Sequence, residues 1–277
     1  MKYVSFKRPD GTASYGRLDA ETIYDLAGNG APDDLKAAIT TGNLSALIDG
    51  ETYALSDITL LPVVPNPTKI FCVGHNYESH RQETGRDKVG NPSIFTRFAD
   101  TLNGQGQDIL QPRVSTDLDY EAELAVIIGK EGRAISEADA MDYIAGYACF
   151  NDVSVRDWQW HTRQFTPGKN FPTTAPFGPY MVTPDEAGDL SDVRVVSRLN
   201  GAVMQDQPIS DLIFPIAQVI AYISAFTPLK PGDVIATGTP GGVGAKRTPP
   251  VWMKPGDTIE VEIGPVGILK NTIAQET

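Results

Sequence analysis

Eleven consecutive residues, Asp119-Tyr-Glu-Ala-Glu-Leu-Ala-Val-Ile-Ile-Gly129, restrict the folds open to this chain more than any other segment. From Leu124 onward the run is apolar on both alternating faces, which predicts a strand covered on two sides rather than one. At its head stand Glu121 and Glu123. Side chains alternate along a strand, so these two share a face, with Cα atoms roughly 6.6 Å apart. Two carboxylates at the mouth of a buried strand repel each other and resist burial unless something neutralises them. The pair is open to two readings: a solvated strand end, or two oxygen ligands for one divalent cation.

A second apolar run, Tyr147-Ala-Cys-Phe150, closes on Asn151-Asp152. Asp152 can supply a third oxygen ligand, and by itself it equally suits a turn or a helix cap before Ser154. The chain has two cysteines and three histidines. A carboxylate set with so little sulfur and imidazole favours a hard ion, Mg2+ first, with Mn2+ or Ca2+ as alternatives.

Composition narrows the partners. Thirty-five acidic against 23 basic residues give a net charge of −12, a surface that repels phosphate backbones, so nucleic acid is not expected. An anionic substrate then needs a locally positive site. Cys72 and Cys149 both sit in apolar runs, form no CxxC and read as small buried hydrophobes. No apolar run approaches the ~20 residues of a membrane helix, and the first residues hold no apolar core of signal-peptide length. The expected address is a reducing cytoplasm, away from any membrane.

At 277 residues the chain suits one large domain with a small appendage. Residues 1–64 read as a small α/β unit: strand segments around Tyr3–Phe6, Arg17–Leu18 and Thr22–Tyr24, then a short helix from Pro32 to Ile39. Pro65-Asn-Pro67 marks the boundary, and 65–277 form the main domain. Ser136 to Asp139 resembles a helix cap. Asn200-Gly201 signals a tight hairpin. Leu212, Ile216, Val219, Ile220 and Ile223 fall at helical spacing over 211–226, with Pro215 early enough to be tolerated. Lys-Pro-Gly-Asp occurs at 230–233 and again at 254–257, each time before a strand-like run, and Pro-Gly fits the centre of a type II turn. The expected fold class is mixed β-rich α+β, with sheets rolled on themselves and a few covering helices.

The run Asp119 to Lys130, with Gly146-Tyr147, Asn151-Asp-Val-Ser154, Arg156-Asp157 and Gln159, resembles the fumarylacetoacetate hydrolase family. So do Ile70-Phe-Cys-Val-Gly-His-Asn-Tyr77, Pro167-Gly-Lys169, Phe177-Gly-Pro179, Pro231 to Gly244 and Lys254-Pro-Gly-Asp257. The resemblance covers about residues 69–273, in order and with family-like spacing. It implies that family's fold and metal ligation by Glu121, Glu123 and Asp152. It places Lys169 beside the ion. Substrate contacts are implied for Tyr77, Arg156, Gln159 and Thr239. It also implies a base dyad, His80 with Glu83, three apart on one helix face, under a lid formed by the polar stretch from Gly85 to Gly90. His75 departs from the apolar or Arg residue of many relatives. Arg81, Arg86, Arg97 and Arg163 are read as surface residues, each with the reach to meet a second carboxylate.

The expected activity is Mg2+-dependent hydrolytic C–C cleavage of a 2,4-dioxo acid of acylpyruvate type, giving pyruvate and a carboxylic acid. A decarboxylase or an oxo-hexenedioate isomerase would use the same site, and a non-catalytic metal-stabilised binding protein is the reading from another class. A small 2-oxo acid is the expected ligand and, by analogy with the family, a homodimer the expected assembly. The acyl group is not written in the sequence, so sugar-acid and aromatic catabolism both stay open.

Overall fold

The computed structural model describes residues 1–28 and 30–277. Its centre is the strand Ala122–Ile128, in which all seven residues are buried. The period-2 alternation is explicit in the packing. Ala122, Leu124, Val126 and Ile128 belong to one apolar core, while Ala125 and Ile127 belong to another across the sheet. The strand pairs antiparallel with Ile144–Asn151 on one side and with Val234–Ala236 on the other. Val234–Ala236 runs parallel to Ile70–Gly74, which pairs antiparallel with Ser93–Arg97.

This register brings four chain segments to one end of the sheet. Ala122 lies opposite Asn151 and Ala125 opposite Ala236. The start of the central strand therefore adjoins the ends of Ile144–Asn151 and Val234–Ala236. The parallel neighbour Ile70–Gly74 delivers His75 and Asn76 to the same end.

The strand is shorter than the run Asp119–Gly129 suggests. Leu118–Asp119 pairs separately with Ser154–Val155, and the sheet resumes only at Ala122. The cause is local side-chain hydrogen bonding. Tyr120 N donates to Asp119 Oδ1, Glu121 N to Asn151 Oδ1 and Ala122 N to Gln205 Oε1, at 2.9, 3.0 and 3.0 Å. Side chains satisfy the backbone that a ladder would otherwise satisfy.

The helix Ile216–Phe226 covers one face through Val219, Ile220 and Ile223, each fully buried and contributing about 1.5–3 kcal/mol by area removed from water. It begins after Pro215 and stops at Thr227, which Pro228 holds extended at φ −145. The expected helix from Asp211 is thus a turn of 3-10 helix at Ile209–Asp211 followed by a true helix from Ile216. Similarly, the cap expected at Ser136 to Asp139 precedes only a 3-10 segment, Ala140–Tyr143, and Ser136 Oγ instead accepts from Asp139 N at 3.2 Å.

A five-stranded sheet, including the hairpin Arg194–Leu199 and Ala202–Pro208, packs Val195, Val261, Ile263 and Leu269 into the same core as that helix. Asn200 and Gly201, at φ +51 and +82, make its turn. Both Lys-Pro-Gly-Asp turns put their glycine at positive φ, +79 at Gly232 and +91 at Gly256.

The N-terminal segment is joined to the main sheet by backbone pairing. Lys2 and Tyr3 of strand Lys2–Lys7 pair with Val182 and Met181 of strand Ala175–Val182. Its helix, Leu35–Thr40, starts at an Asp34 cap two residues inside the expected Pro32 and packs Leu35, Ala38 and Ile39 on the opposite core. The two cysteines are buried and free.

Candidate metal centre and catalytic cavity

One end of the sheet holds a cavity of about 150 Å3. Glu121, Glu123 and Asp152 line it together, and each offers an oxygen within 4.8 Å of the others. All three are buried. The backbone at the strand break contributes: Asp152 N donates to Glu121 O at 2.8 Å, which holds Asp152 beside Glu121.

Cations neutralise this cluster unevenly. Lys169, 1% exposed, donates at 2.6 Å to both Glu121 Oε2 and Asp152 Oδ2. Arg156 pairs with Glu121 Oε1 at 2.7 Å and donates through Nε to Asp119 Oδ2 at 2.8 Å. Arg97 closes the other side, with Nη1 on Asp152 Oδ1 and Nη2 on Thr174 O and Oγ1, both at 2.7 Å. Glu123 has no ion pair among the described residues. It accepts one backbone hydrogen bond, from Gly238 N at 2.8 Å.

The titration of each group follows from this arrangement. Burial pushes the Glu123 carboxyl well up, and Asp152 and Glu121 push it further. Burial works on Glu121 too, but Lys169 and Arg156 outweigh it and hold that carboxyl low. Burial favours neutral Lys169; Asp152 and Glu121 outweigh it and keep the ammonium. Burial raises Asp119 despite its Arg156 partner.

The donor set fits a divalent cation. It is all carboxylate oxygen, it is buried, and one member lacks any cationic partner, so a doubly positive ion would remove the remaining repulsion. Glu121, Glu123 and Asp152 are the residues that would hold it.

His80 enters from the helix Glu78–Thr84, which ends on Gly85 in the left-handed conformation at φ 65. Its Nδ1 lies 3.0 Å from Glu83 Oε2, and the other Glu83 oxygen accepts from Gly242 N at 2.9 Å. The carboxylate is thereby anchored to the glycine loop that follows Thr239. With Nδ1–H donating to Glu83, the lone pair is left on Nε2.

Arg156, Gln159, Lys169 and Thr239 line the cavity. Arg156 also donates to Gln159 Oε1 at 2.9 Å. Thr239 donates to Ala122 O at 3.0 Å and accepts from Gln205 at 2.7 Å. Tyr77 is the exception in the expected set. It does not line the cavity; its ring is fully buried in the core that holds Phe71, Val73 and Leu124. The bridge between Tyr77 and Leu212 turns it inward.

Two residues escaped the sequence reading. Arg97, grouped with surface arginines, is 3% exposed and grips Asp152. Nothing in its local pattern signals a partner 55 positions away. Asp119 reads as the first residue of a strand, yet it receives Gly244 N and Ala245 N at 2.7 and 3.0 Å and so ties the glycine loop to Arg156.

The model of the Fumarylacetoacetate (FAA) hydrolase C-terminal family matches residues 69–274. A bovine protein named oxaloacetate tautomerase FAHD2A, mitochondrial, is 41% identical over 220 residues, covering 79% of this chain and 70% of its own length. Oxaloacetate tautomerase YisK of Bacillus subtilis is 42% identical over 226 residues, 80% and 75% of the two chains. The solved fumarylacetoacetate hydrolase of the psychrophile Exiguobacterium antarcticum superposes with a TM-score of 0.87 at 34% identity, over all of both chains.

The expected cytoplasmic address is corrected by these relatives. The bovine protein is named mitochondrial, and that no helix among the described residues is long and apolar enough to cross a membrane carries no address. Fold, sequence and the buried carboxylate site agree on the affiliation: the chain belongs to the fumarylacetoacetate hydrolase family.

Proposed function

We propose that this chain interconverts the keto and enol forms of a short 2-oxo acid, with oxaloacetate as the reference substrate. The observation that carries the proposal is the placement of His80, hydrogen-bonded to Glu83, on the cavity that holds the three carboxylates and Lys169. The names of the 41–42% identical relatives point the same way.

A divalent cation held by Glu121, Glu123 and Asp152, Mg2+ first among the candidates, would supply Lewis acidity toward a 2-oxo oxygen. His80 Nε2 takes a proton from C3. The C–H electron pair becomes the C2–C3 double bond, and the carbonyl pair moves onto oxygen. Glu83 holds the imidazole in the tautomer that can do this. Lys169 keeps its positive charge near the oxygen that becomes negative, in a site with little water to reorganise. Protonation at oxygen gives the enol, and the reverse sequence restores the ketone. Arg156, Gln159 and Thr239 orient the acid.

The second reading is hydrolysis of an acylpyruvate. It is favoured by the same dyad, which is placed to take a proton from water as readily as from carbon. One pair of assays separates the two. Decay of the enol absorbance of oxaloacetate is followed with protein and Mg2+ against Mg2+ alone, and pyruvate is measured after incubation with acylpyruvates. Acceleration of enol decay, lost in His80→Ala, is expected. A rate equal to the Mg2+ background would sink the tautomerase, and pyruvate release without it would install the hydrolase. The homodimer is carried forward as part of the proposal, to be checked by sedimentation.

A further inference from the structure

His75 follows the strand Ile70–Gly74 with a left-handed backbone, φ +56. Such a conformation in a residue other than glycine is uncommon and collects at functional sites. Its ring stacks on His80, with centroids 5.3 Å apart and planes 8° from parallel, and meets Phe165 edge-on at 6.2 Å. Nδ1 is buried and has no hydrogen-bond partner. The side chain nevertheless lines the cavity shared by Glu121, Lys169 and Arg86.

These facts fix what His75 offers. A proton on buried Nδ1 would forgo any hydrogen bond, whereas one on Nε2 can be used by whatever fills the cavity, so the proton is assigned to Nε2. Burial, then Arg86 and His80, hold the imidazole down to about 3, and His75 stays neutral. His80 has the complementary polarity, a lone pair on Nε2. One wall of the cavity therefore presents a base and, one ring-stack away, an N–H donor. Arg86 adds a positive charge at the rim. Its backbone is held by the helix end, with N donating to Arg81 O at 3.1 Å and O accepting from Arg81 Nη1 at 2.5 Å.

Building on the tautomerase reading, we infer that His75 and Arg86 recognise a second carboxylate, carried by the same carbon that gives up its proton to His80. The substrate class is then the 2-oxobutanedioates, oxaloacetate and its 3-substituted forms. In them the distal carboxylate is bonded directly to C3, so a donor beside the base meets it. An acylpyruvate puts a neutral ketone there and leaves the Arg86 charge unanswered. His75 is a specificity-determining residue in this scheme; the proton still moves through His80.

Binding to the full chain in Mg2+ tests this without turnover. Two ligands are compared by calorimetry: oxalate, which has no distal arm, and 3,3-difluorooxaloacetate, which keeps both carboxylates and has no C3 proton. His75→Asn tolerates the left-handed backbone and lacks a donor at the Nε2 position. It is expected to weaken difluorooxaloacetate about 10- to 100-fold, the range for one hydrogen bond to a charged group, and oxalate by less than about twofold. His75→Gln, whose amide nitrogen reaches where Nε2 lay, should recover most of that loss. Arg86→Met should weaken the same ligand selectively. Equal weakening of both ligands, no weakening of either, or a wild-type protein that does not bind difluorooxaloacetate would overturn the inference. A wild-type protein with this discrimination that fails to speed enol decay would overturn only the reaction proposed above.

Discussion

Glu123 accepts a hydrogen bond from Gly238 N at 2.8 Å, while its two neighbours in the cluster, Glu121 and Asp152, share the Lys169 ammonium. The glycine is needed for the approach. It sits at φ +108, and a Cβ there would lie 2.7 Å from Asn76 Cβ and 3.0 Å from Val73 O. A carboxylate buried with one amide donor and no cation is the electrostatic weak point of the cavity, and a divalent ion held there would relieve it.

Glu123→Gln keeps the shape and the Gly238 contact but removes that charge. Burial raises the folded pKa of Glu123 above the unfolded value of about 4.3. Its stabilising contribution is therefore full below that value and is lost as pH rises through the folded pKa. Without metal, the variant should melt above wild type, and the gap should widen from about pH 4.5 toward neutrality. Glu121, held low by Lys169 and Arg156 against its burial, acts in the opposite sense. Mg2+ affinity should fall by at least the 10- to 100-fold that loss of an outer-shell partner costs. Thermal melts against pH, with EDTA and with Mg2+, check both halves.

Lys169→Met removes the cation that Glu121 and Asp152 share and leaves them to Arg156 and Arg97. The metal-free variant is expected to lose about 3 kcal/mol of stability, the low end for a broken buried pair, because each carboxylate keeps one guanidinium. Mg2+ should then stabilise the variant more than it stabilises wild type, because the ion no longer shares Glu121 and Asp152 with the ammonium. Denaturant unfolding with and without Mg2+ gives the comparison. A variant as stable as wild type in EDTA would show that the 2.6 Å contacts carry little energy.

The His80–Glu83 pair should separate catalysis from binding. His80→Ala is expected to lower kcat by about 10²–10⁴. Glu83→Gln should fall in the same direction, since a side-chain amide no longer specifies the Nδ1–H tautomer. Oxalate affinity should stay within a few-fold of wild type for both, measured by calorimetry in Mg2+. Parallel loss of oxalate binding would move the pair from proton transfer to structural support.

Much of this arrangement is legible in the chain because its causes are local. A strand apolar on both faces, two Lys-Pro-Gly-Asp corners and Asn200-Gly201 each state their geometry within a few residues. The i, i+3 spacing of His80 and Glu83 does the same. What is not legible depends on partners far apart. Arg97 meets Asp152 only after the edge strand and the sheet interior are assembled, and Tyr77 turns inward because Leu212 pairs with it. The break before Ala122 needs Asn151 and Gln205 to supply acceptors from other strands. The attachment of Lys2–Lys7 to Ala175–Val182 has no periodic signal at all.

Gly168 tests how the site is held from behind. It lies in the short helix Thr166–Lys169, packed on Arg156–Gln159. A Cβ at Gly168 would sit 2.4 Å from Gln159 N and 2.5 Å from Gln159 Cα. Those are backbone atoms, so no side-chain rotation relieves the clash and the two segments must part. Gly168→Ala should cost about 1–3 kcal/mol as an overpacking change. It should also displace the adjacent Lys169 from Glu121 and Asp152, and a misplacement near 1 Å is enough for about a 100-fold loss of rate. The three carboxylates come from other segments, so Mg2+ binding should survive. An active Gly168→Ala enzyme would mean that the contact between the two helices is not what places the ammonium.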